Sequence, residues 1–393
     1  MSLDLPQLVP QLNAAGKSAA EQAAEVAARL PTAVQALSET ASLSPKDVTD
    51  RLRRAGDRWP GALPTDENPK DVFPAPPAPE RYRVVGADGS QIYPDRHAGG
   101  LFYLINIGSI CLDYGSGQAP AVSSQPALFH ELSDLYDEHG ALVGTEWING
   151  QRDLAELGEL ARLAKSADGQ PTLALLDNGL LLWMLLQVRD QSRRQIDRIL
   201  HQYLGHLTRL RESGAALAGV IDQPRHANVL ALAQLGTLPL ESIDPDALQA
   251  HPYLGLTDRA LFRSLLSVGD RSAIFIHGSP VNRDFQGAGH EVRFFYLRSA
   301  DDTMLRVEVP IWVAEDPELL TLVHSGLLAD SATSAGFPYS LVRAHELAVV
   351  SQAERAEFQA MLAAEMIRHG MSAQPSTKSI TKRWSGGRRH HRV

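Results

Sequence analysis

Residues Val84-Val85-Gly86-Ala87-Asp88-Gly89-Ser90-Gln91-Ile92 drive an apolar strand straight into an acidic residue followed by a tight-turn glycine. A buried apolar strand has no reason to end on a charge unless that charge meets water, a helix N-terminus, a cation or a metal. The design recurs at Pro171-Thr172-Leu173-Ala174-Leu175-Leu176-Asp177-Asn178-Gly179, where an apolar run delivers a second aspartate with a glycine two positions on. Hard divalent cations need only a few protein carboxylates, with water and substrate phosphate completing the shell, so two such acids suggest a metal site. Taken singly, each aspartate also fits a turn or a helix cap, which Asp-Gly and Asp-Asn pairs form routinely.

The surroundings of these two runs set the fold class. Residues 81–92, 101–114 and 119–124 are short apolar or alternating runs separated by glycine and proline, which predicts a strand with hairpin-connected neighbours. Helical periodicity predicts helices around 126–139 and 152–166, then a strand at 172–177, a long helix over about 179–213 and a strand at Leu217-Ala218-Gly219-Val220-Ile221. Further strands are expected at 272–277, 292–298 and 304–309, and helices at 319–328 and 341–368. This alternation is that of a mixed α/β sheet.

Residues 1–58 are rich in alanine, leucine and charge and predict an N-terminal helical segment of two or three helices, with Ser44-Pro45-Lys46-Asp47 as an N-cap and first turn. Residues 59–80 carry Pro74, Pro76, Pro77 and Pro79 nearly in succession and predict an extended linker. The expected division is therefore a helical segment at 1–58, a linker at 59–80, a catalytic domain at 81–368 and a flexible basic tail at 369–393.

The 393 residues suffice for a sizeable core, and 44% hydrophobic with 21% charged residues indicates neither wholesale disorder nor a membrane protein. The longest apolar candidate, residues 179–188, is too short to span a bilayer and contains Gln187. The start, Met1-Ser2-Leu3-Asp4, lacks the features of a signal peptide, so a cytoplasmic location is expected. The single cysteine, Cys111, allows no intrachain disulfide and no zinc ribbon, and its apolar strand marks it as an inert thiol. A net charge of −9 conceals an asymmetry. Beyond Glu365 there is no acid, whereas Arg368, Lys378, Lys382, Arg383, Arg388, Arg389 and Arg392 add +7, leaving −16 on the remainder. A basic arm bearing Trp384, which can stack on a base, fits phosphate-backbone binding, and equally a solvated terminus.

The order of elements, strand with Asp, hairpin strands, helical region, strand with Asp, is that of an RNase H-like mixed sheet with flanking helices, in which acids from adjacent strands and a nearby helix gather two divalent metals. At Gly86-Ala87-Asp88-Gly89-Ser90-Gln91, Gly144-Thr145-Glu146, Leu175-Leu176-Asp177 and Gly336-Phe337-Pro338-Tyr339-Ser340-Leu341-Val342-Arg343-Ala344-His345-Glu346 the chain resembles the NurA nuclease family. Thr257-Asp258-Arg259, Gly269-Asp270-Arg271-Ser272 and Arg306-Val307-Glu308-Val309-Pro310 support the resemblance, which covers roughly residues 80–360. It implies a manganese-preferring (or magnesium-using) nuclease with two metals per site. The implied activity is that of a 5′-to-3′ exonuclease and single-strand endonuclease on DNA ends. A homodimer working with a HerA-type hexameric ATPase in end resection for recombinational repair is implied too. The family's metal acids fall on Asp88, Glu146 and Asp177, and its motif histidine on His345. Phe337 departs from the family's usual tyrosine, with Tyr339 two residues away as a possible substitute.

The residues themselves support two-metal chemistry, with Asp88, Glu146 and Asp177 clamping a scissile phosphate and His345 as a ligand or general acid. Glu131 and Glu156 are alternatives to Glu146. Arg225 and His226, after the strand-end Asp222, are candidate phosphate contacts, as are Lys382, Arg383 and Trp384 of the tail. Asp222 fits a turn before Pro224 equally well. Arg193, Arg194 and Arg198 fit a DNA path or simply the solvated face of a helix. No Walker-type segment occurs, so the chain is not expected to hydrolyse ATP itself. Two other readings stay open: a non-catalytic DNA-binding adaptor of an ATPase ring, and a phosphoesterase with a small substrate.

Overall fold

The computed structural model describes residues 5–56, 59–94, 101–137, 139–165, 169–183, 185, 193–244, 248 and 252–370. Helices α1 (Leu5–Ala41) and α2 (Pro45–Ala55) come first. The Ser44 side chain accepts the Asp47 N–H and Pro45 fills the first turn of α2, where no donor is needed. Then follow β1 (Ala62–Pro64), β2 (Val72–Phe73), β3 (Tyr82–Ile92), β4 (Tyr103–Tyr114), β5 (Ala121–Phe129), α3 (Leu132–Leu135), α4 (Thr145–Lys165), β6 (Thr172–Asp177), α5 (Arg193–Glu212) and β7 (Ala216–Ile221). The chain continues through α6 (Asn228–Thr237), α7 (Asp258–Arg263), β8 (Arg271–Ser272), β9 (Phe275–His277), α8 (Val281–Gly287), β10 (Val292–Arg298) and β11 (Met304–Pro310). It closes with α9 (Ile311–Ala314), α10 (Pro317–Ser331), α11 (Tyr339–Ala348) and α12 (Gln352–Arg368).

These elements form two compact units, each drawn from three segments. The first takes Pro79–Asp177, Leu182–Leu217 and Tyr339–Val393. In it β3, β4 and β5 make an antiparallel meander, and β6 lies parallel to β3 on the other side, giving the order β6-β3-β4-β5. This mixed sheet with flanking helices is the RNase H-like arrangement. Leu173, Ala174, Leu175 and Leu176 of β6 are all buried, as a parallel strand covered on both faces requires. Helices α4 and α11 both pack on β3. A side chain at Gly86 would meet Ser340 of α11, and one at Gly89 would meet Arg152 and Glu156 of α4, so the two helices cover opposite faces of the strand.

The second unit takes Met1–Ala78, Asn178–Leu181 and Ala218–Pro338. Its strands run in the order β1-β9-β10-β11-β7, all antiparallel, with β8 joining β2 to β10. Ala33, Ala36 and Leu37 of α1 pack with Val229, Leu230, Leu232 and Ala233 of α6, together with Phe262, Phe275, Phe294 and Tyr296. Within this core Arg306 and Glu308 form a buried ion pair at 3.0 Å.

The residues drawn as one domain at 81–368 contribute to both units. Several other expectations are corrected. The linker drawn at 59–80 contains β1 and β2, because Ala62–Pro64 pair with Phe275–His277 and Val72 and Phe73 pair with Ser272 and Arg271. The helix expected at 126–139 reduces to α3, since Ala127, Leu128 and Phe129 continue the ladder with β4 and Phe129 stacks on Tyr103 at 4.5 Å. No helix starts at 179: Asn178 takes a φ of 148° and the Leu180 N–H donates to the Glu308 carboxylate at 2.9 Å. The helix expected at 341–368 breaks in two where Ser351 and Glu354 form a capping box for α12. Among the described residues no helix is long and apolar enough to cross a membrane. Cys111 lies in β4, and burial pushes its thiol up, away from the reactive thiolate.

Candidate metal centre

The parallel register of β3 and β6 brings the two sequence-marked aspartates level. Its last pair is Ala87 with Leu176, so Asp88 and Asp177 come next on each strand and share a face. β6 ends at Asp177, whereas β3 runs on through Asp88, which pairs with Gly108 of β4. The tight turn expected at Gly89 therefore does not form. Asp88 stands inside its strand, at the point where the parallel neighbour stops and leaves room beside it.

Helix α11 reaches this point because glycines let it lie on the sheet. A Cβ at Gly108 would land on the backbone of Ala344, Leu347 and Ala348, and one at Gly86 would sit 3.0 Å from the Ser340 carbonyl. Asn106 and Ser90 tie down the C-terminal end of the helix, donating to the Ala348 carbonyl at 2.8 and 2.5 Å. His345 then meets Asp88, with Nδ1 2.7 Å from Oδ2, while Oδ1 accepts the Gly89 N–H at 2.8 Å. A carboxylate only accepts, so Nδ1 carries the hydrogen and Nε2 is left to bind a cation or exchange a proton. The His345 side chain is 62% exposed, so that nitrogen is within reach of a substrate.

Against the other face of β3 lies a further acid. Glu156 of α4 is 2% exposed and lies under Gly89, where a Cβ would stand 2.7 Å from its Oε1. Arg152 Nε is 3.1 Å from that oxygen but misaligned for a hydrogen bond, so both atoms are buried without a hydrogen-bond partner. Burial pushes the Glu156 carboxyl well above the usual range; Asp153, Asp88 and Asp177 push it further, and Arg152 opposes them. Asp153 is likewise raised by burial and restrained by Arg152. Glu159, one turn on, makes the contrast. Burial pushes it up, but donation from Arg162 and Ser109 at 2.7 Å holds it below the usual range. Glu159 is a satisfied structural acid; Glu156 is an orphaned one.

The structure does not bring Glu146 to the two aspartates. It is exposed in the first turn of α4, where Asn149 donates to it at 3.3 Å. Ten residues further on the helix has made about 2.8 turns and risen about 15 Å, which puts Glu156 in reach of the site and Glu146 at its outer end. The sequence did carry a signal. Glu156 lies in the stripe of Leu157, Leu160, Ala161 and Ala164 that α4 buries, and a carboxylate in an apolar stripe calls for a cation. Arg152 and Asp153 were missed for the same reason.

Tyr339 starts α11 at 36% exposure. Arg225 is exposed, and burial with nearby Arg306 lowers His226 to about 4, so His226 is neutral at neutral pH and brings no cation to a phosphate. Asp222 serves a turn, its Oδ1 accepting the Gln223 N–H at 2.7 Å. Arg194 and Arg198 lie exposed on α5. Lys382, Arg383 and Trp384 lie outside the described residues.

The NurA domain model matches residues 82–350, which takes in Asp88, Glu156, Asp177 and His345. The chain belongs to the NurA family. Among solved structures it is similar to the NurA nuclease from Sulfolobus solfataricus, at 14% identity over 76% of this chain and 87% of that one, with a TM-score of 0.47. A NurA bound to dAMP and manganese matches at 12% identity over 72% and 88%, TM-score 0.37. The catalytic domain of human Endonuclease V matches at 16% identity over 81% and 95%, TM-score 0.35. None of the curated proteins matches.

A NurA chain implies divalent metal, and two observations show that these residues fit one. Glu156 Oε1 is a fully buried carboxylate oxygen with no hydrogen-bond donor, and the missing side chain at Gly89 lets it and Arg152 come up against β3. Among the described residues no three His, Cys, Asp and Glu side chains already form a cation cage. The reason is geometric: Asp88 and Glu156 issue on opposite faces of β3, with the Arg152 guanidinium drawn in against the acids of α4.

Proposed function

We propose that this protein is a metal-dependent deoxyribonuclease that hydrolyses phosphodiester bonds at DNA ends, as 5′-to-3′ exonuclease and single-strand endonuclease. The observation that carries the reading is the buried Glu156 carboxylate, whose Oε1 has no hydrogen-bond donor and which feels the charges of Asp88 and Asp177. Arg152, close to it but not hydrogen-bonded, relieves that burial only in part, and a bound cation would relieve the rest. Asp88, Asp177 and Glu156 would hold manganese or magnesium, which leaves Nε2 of His345 for proton transfer. When bound, two such cations neutralise the scissile phosphate, acidify the attacking water and stabilise the leaving oxygen. The chain itself fixes Asp88 from both sides through the Gly89 N–H and His345. His345 Nε2 stands ready to hand a proton to the leaving oxygen, because Asp88 accepts from Nδ1 and orients the ring. Phe337 brings no hydroxyl to the site, which leaves that role to Tyr339.

Family membership supports the wider setting: a homodimer that works with a HerA-type hexameric ATPase in end resection for recombinational repair. The tail residues Lys382, Arg383 and Trp384, with Arg225, extend the DNA contacts.

Purified protein is expected to cleave end-labelled single- and double-stranded DNA with manganese and not with chelator. Asp88→Ala and Asp177→Ala should abolish cleavage while DNA binding persists. Normal turnover by either folded, metal-loaded variant would overturn the assignment. Deleting the residues after His369 should flatten the salt dependence of DNA binding and leave the metal site intact.

A further inference from the structure

Arg152 is the cation that stands against Asp153 and Glu156 of α4. Its NH2 is 2.9 Å from Asp153 Oδ1 and its Nε 3.1 Å from Glu156 Oε1, while NH1 reaches Gln91 Oε1 at 3.3 Å. Gly89 makes this possible, since a Cβ there would stand 2.6 Å from Arg152 Cγ. The contact to Asp153 is a hydrogen bond, whereas the contact to Glu156 is not aligned as one. A guanidinium that attracts a carboxylate without hydrogen-bonding it neutralises that group but does not lock it.

From this geometry we infer that Arg152 is a positioning residue, the resident counter-cation of Asp153 and Glu156, which holds Glu156 until a divalent metal displaces it. The inference rests on the metal-dependent reading above. Two cations that share one carboxylate compete, so the metal must overcome the attraction to Arg152 before Glu156 is delivered. The route out for the displaced guanidinium is polar. Gln91 donates to Tyr93, Tyr93 donates to Asn149 at 2.7 Å, and Asn149 donates to exposed Glu146. Arg152 is already bonded to the first of these, so it has a partner to move toward.

The competition has a sign that a purely structural arginine does not share. If Arg152 only braced α4, removing it would loosen Glu156 and weaken metal binding. If it competes, removing it tightens metal binding. Calorimetric titration of the full-length protein with Mn2+, without DNA, is expected to give roughly tenfold tighter binding for Arg152→Gln, the size of one charge-assisted contact, and near wild-type binding for Arg152→Lys. Unchanged or weaker binding by Arg152→Gln would overturn the inference. A second measurement needs no variant: the Arg152 Nε–H resonance of the wild-type protein should shift and exchange faster on addition of Mg2+, and an unmoved resonance would overturn the inference as well. Wild-type protein that binds no Mn2+ at all would overturn the metal-dependent reading itself, an outcome distinct from both.

Discussion

Glu156→Gln, set against Glu146→Gln, tests whether the site is built on the buried or the exposed end of α4. The Glu156 carboxyl is raised well above its ordinary 4.5, by burial first and then by Asp153, Asp88 and Asp177 against Arg152. A carboxyl that is raised on folding binds more protons folded than unfolded. Stability is therefore intact below the unfolded value and declines as pH climbs above about 4.5. Glutamine has the shape of the protonated acid and no charge to bury, so at pH 4.5 or below the variant and wild type should melt alike. At pH 7.5 in chelator the variant should be the more stable, by about 1–3 kcal/mol on the scale of buried charges replaced by neutral groups. Arg152 is not stranded by the change, because Asp153 and 21% side-chain exposure remain to it. At about 2–4 °C per kcal/mol the melting temperature should rise by several degrees. Manganese-dependent cleavage should nevertheless fall about 10²- to 10³-fold, the usual loss for one group aimed at a developing charge. Glu146→Gln should stay within about 0.5 kcal/mol of wild type and keep its activity. Thermal melts at pH 4.5 and 7.5, paired with cleavage of end-labelled DNA, measure both effects. A Glu156→Gln protein that melts lower than wild type at pH 7.5, or that cuts DNA while Glu146→Gln does not, would refute the reasoning.

Glu308→Ala should cost about 3–5 kcal/mol in a thermal or urea melt, because it strands Arg306, whose side chain is 0% exposed, and frees the Leu180 N–H. An Arg306→Met and Glu308→Leu double variant should lose much less, and equal losses would remove the buried pair from the explanation. Gly108→Ala should lift α11 off β4 and part His345 from Asp88. A destabilisation of about 1–3 kcal/mol is expected, with cleavage falling further than the folded fraction does, and a fully active variant would show that the helix seat is dispensable.

Much of the first unit was legible in one dimension. β3 and β6 appear where the apolar runs stand, and Asp177 closes β6 as expected, because strand periodicity and burial are local properties of the chain; β3 instead runs on through Asp88. Ser44 with Pro45 announced α2 through a cap that four residues suffice to specify. Legibility failed where a partner distant in sequence overrode the local pattern. The segment after Asp177 has the composition of a helix, yet Asn178 takes a φ of 148° and the Leu180 N–H is held by Glu308, 128 positions away. The proline-rich stretch is extended as expected, but its short strands find partners around residues 271–277 and cease to be a linker.

The family, the sheet and its two central aspartates were legible in the sequence alone, since each rests on residue type and spacing along one segment. Which glutamate of α4 is buried was a tertiary decision. Glu146 and Glu156 differ little as residues, and only the packing of α4 under Gly89 leaves one exposed and the other buried without a hydrogen-bond donor. The same holds for His345, which lies 257 positions from Asp88 and meets it because two glycines let a helix backbone settle on the sheet. Periodicity tells which face a residue occupies; only the packed structure tells what that face meets.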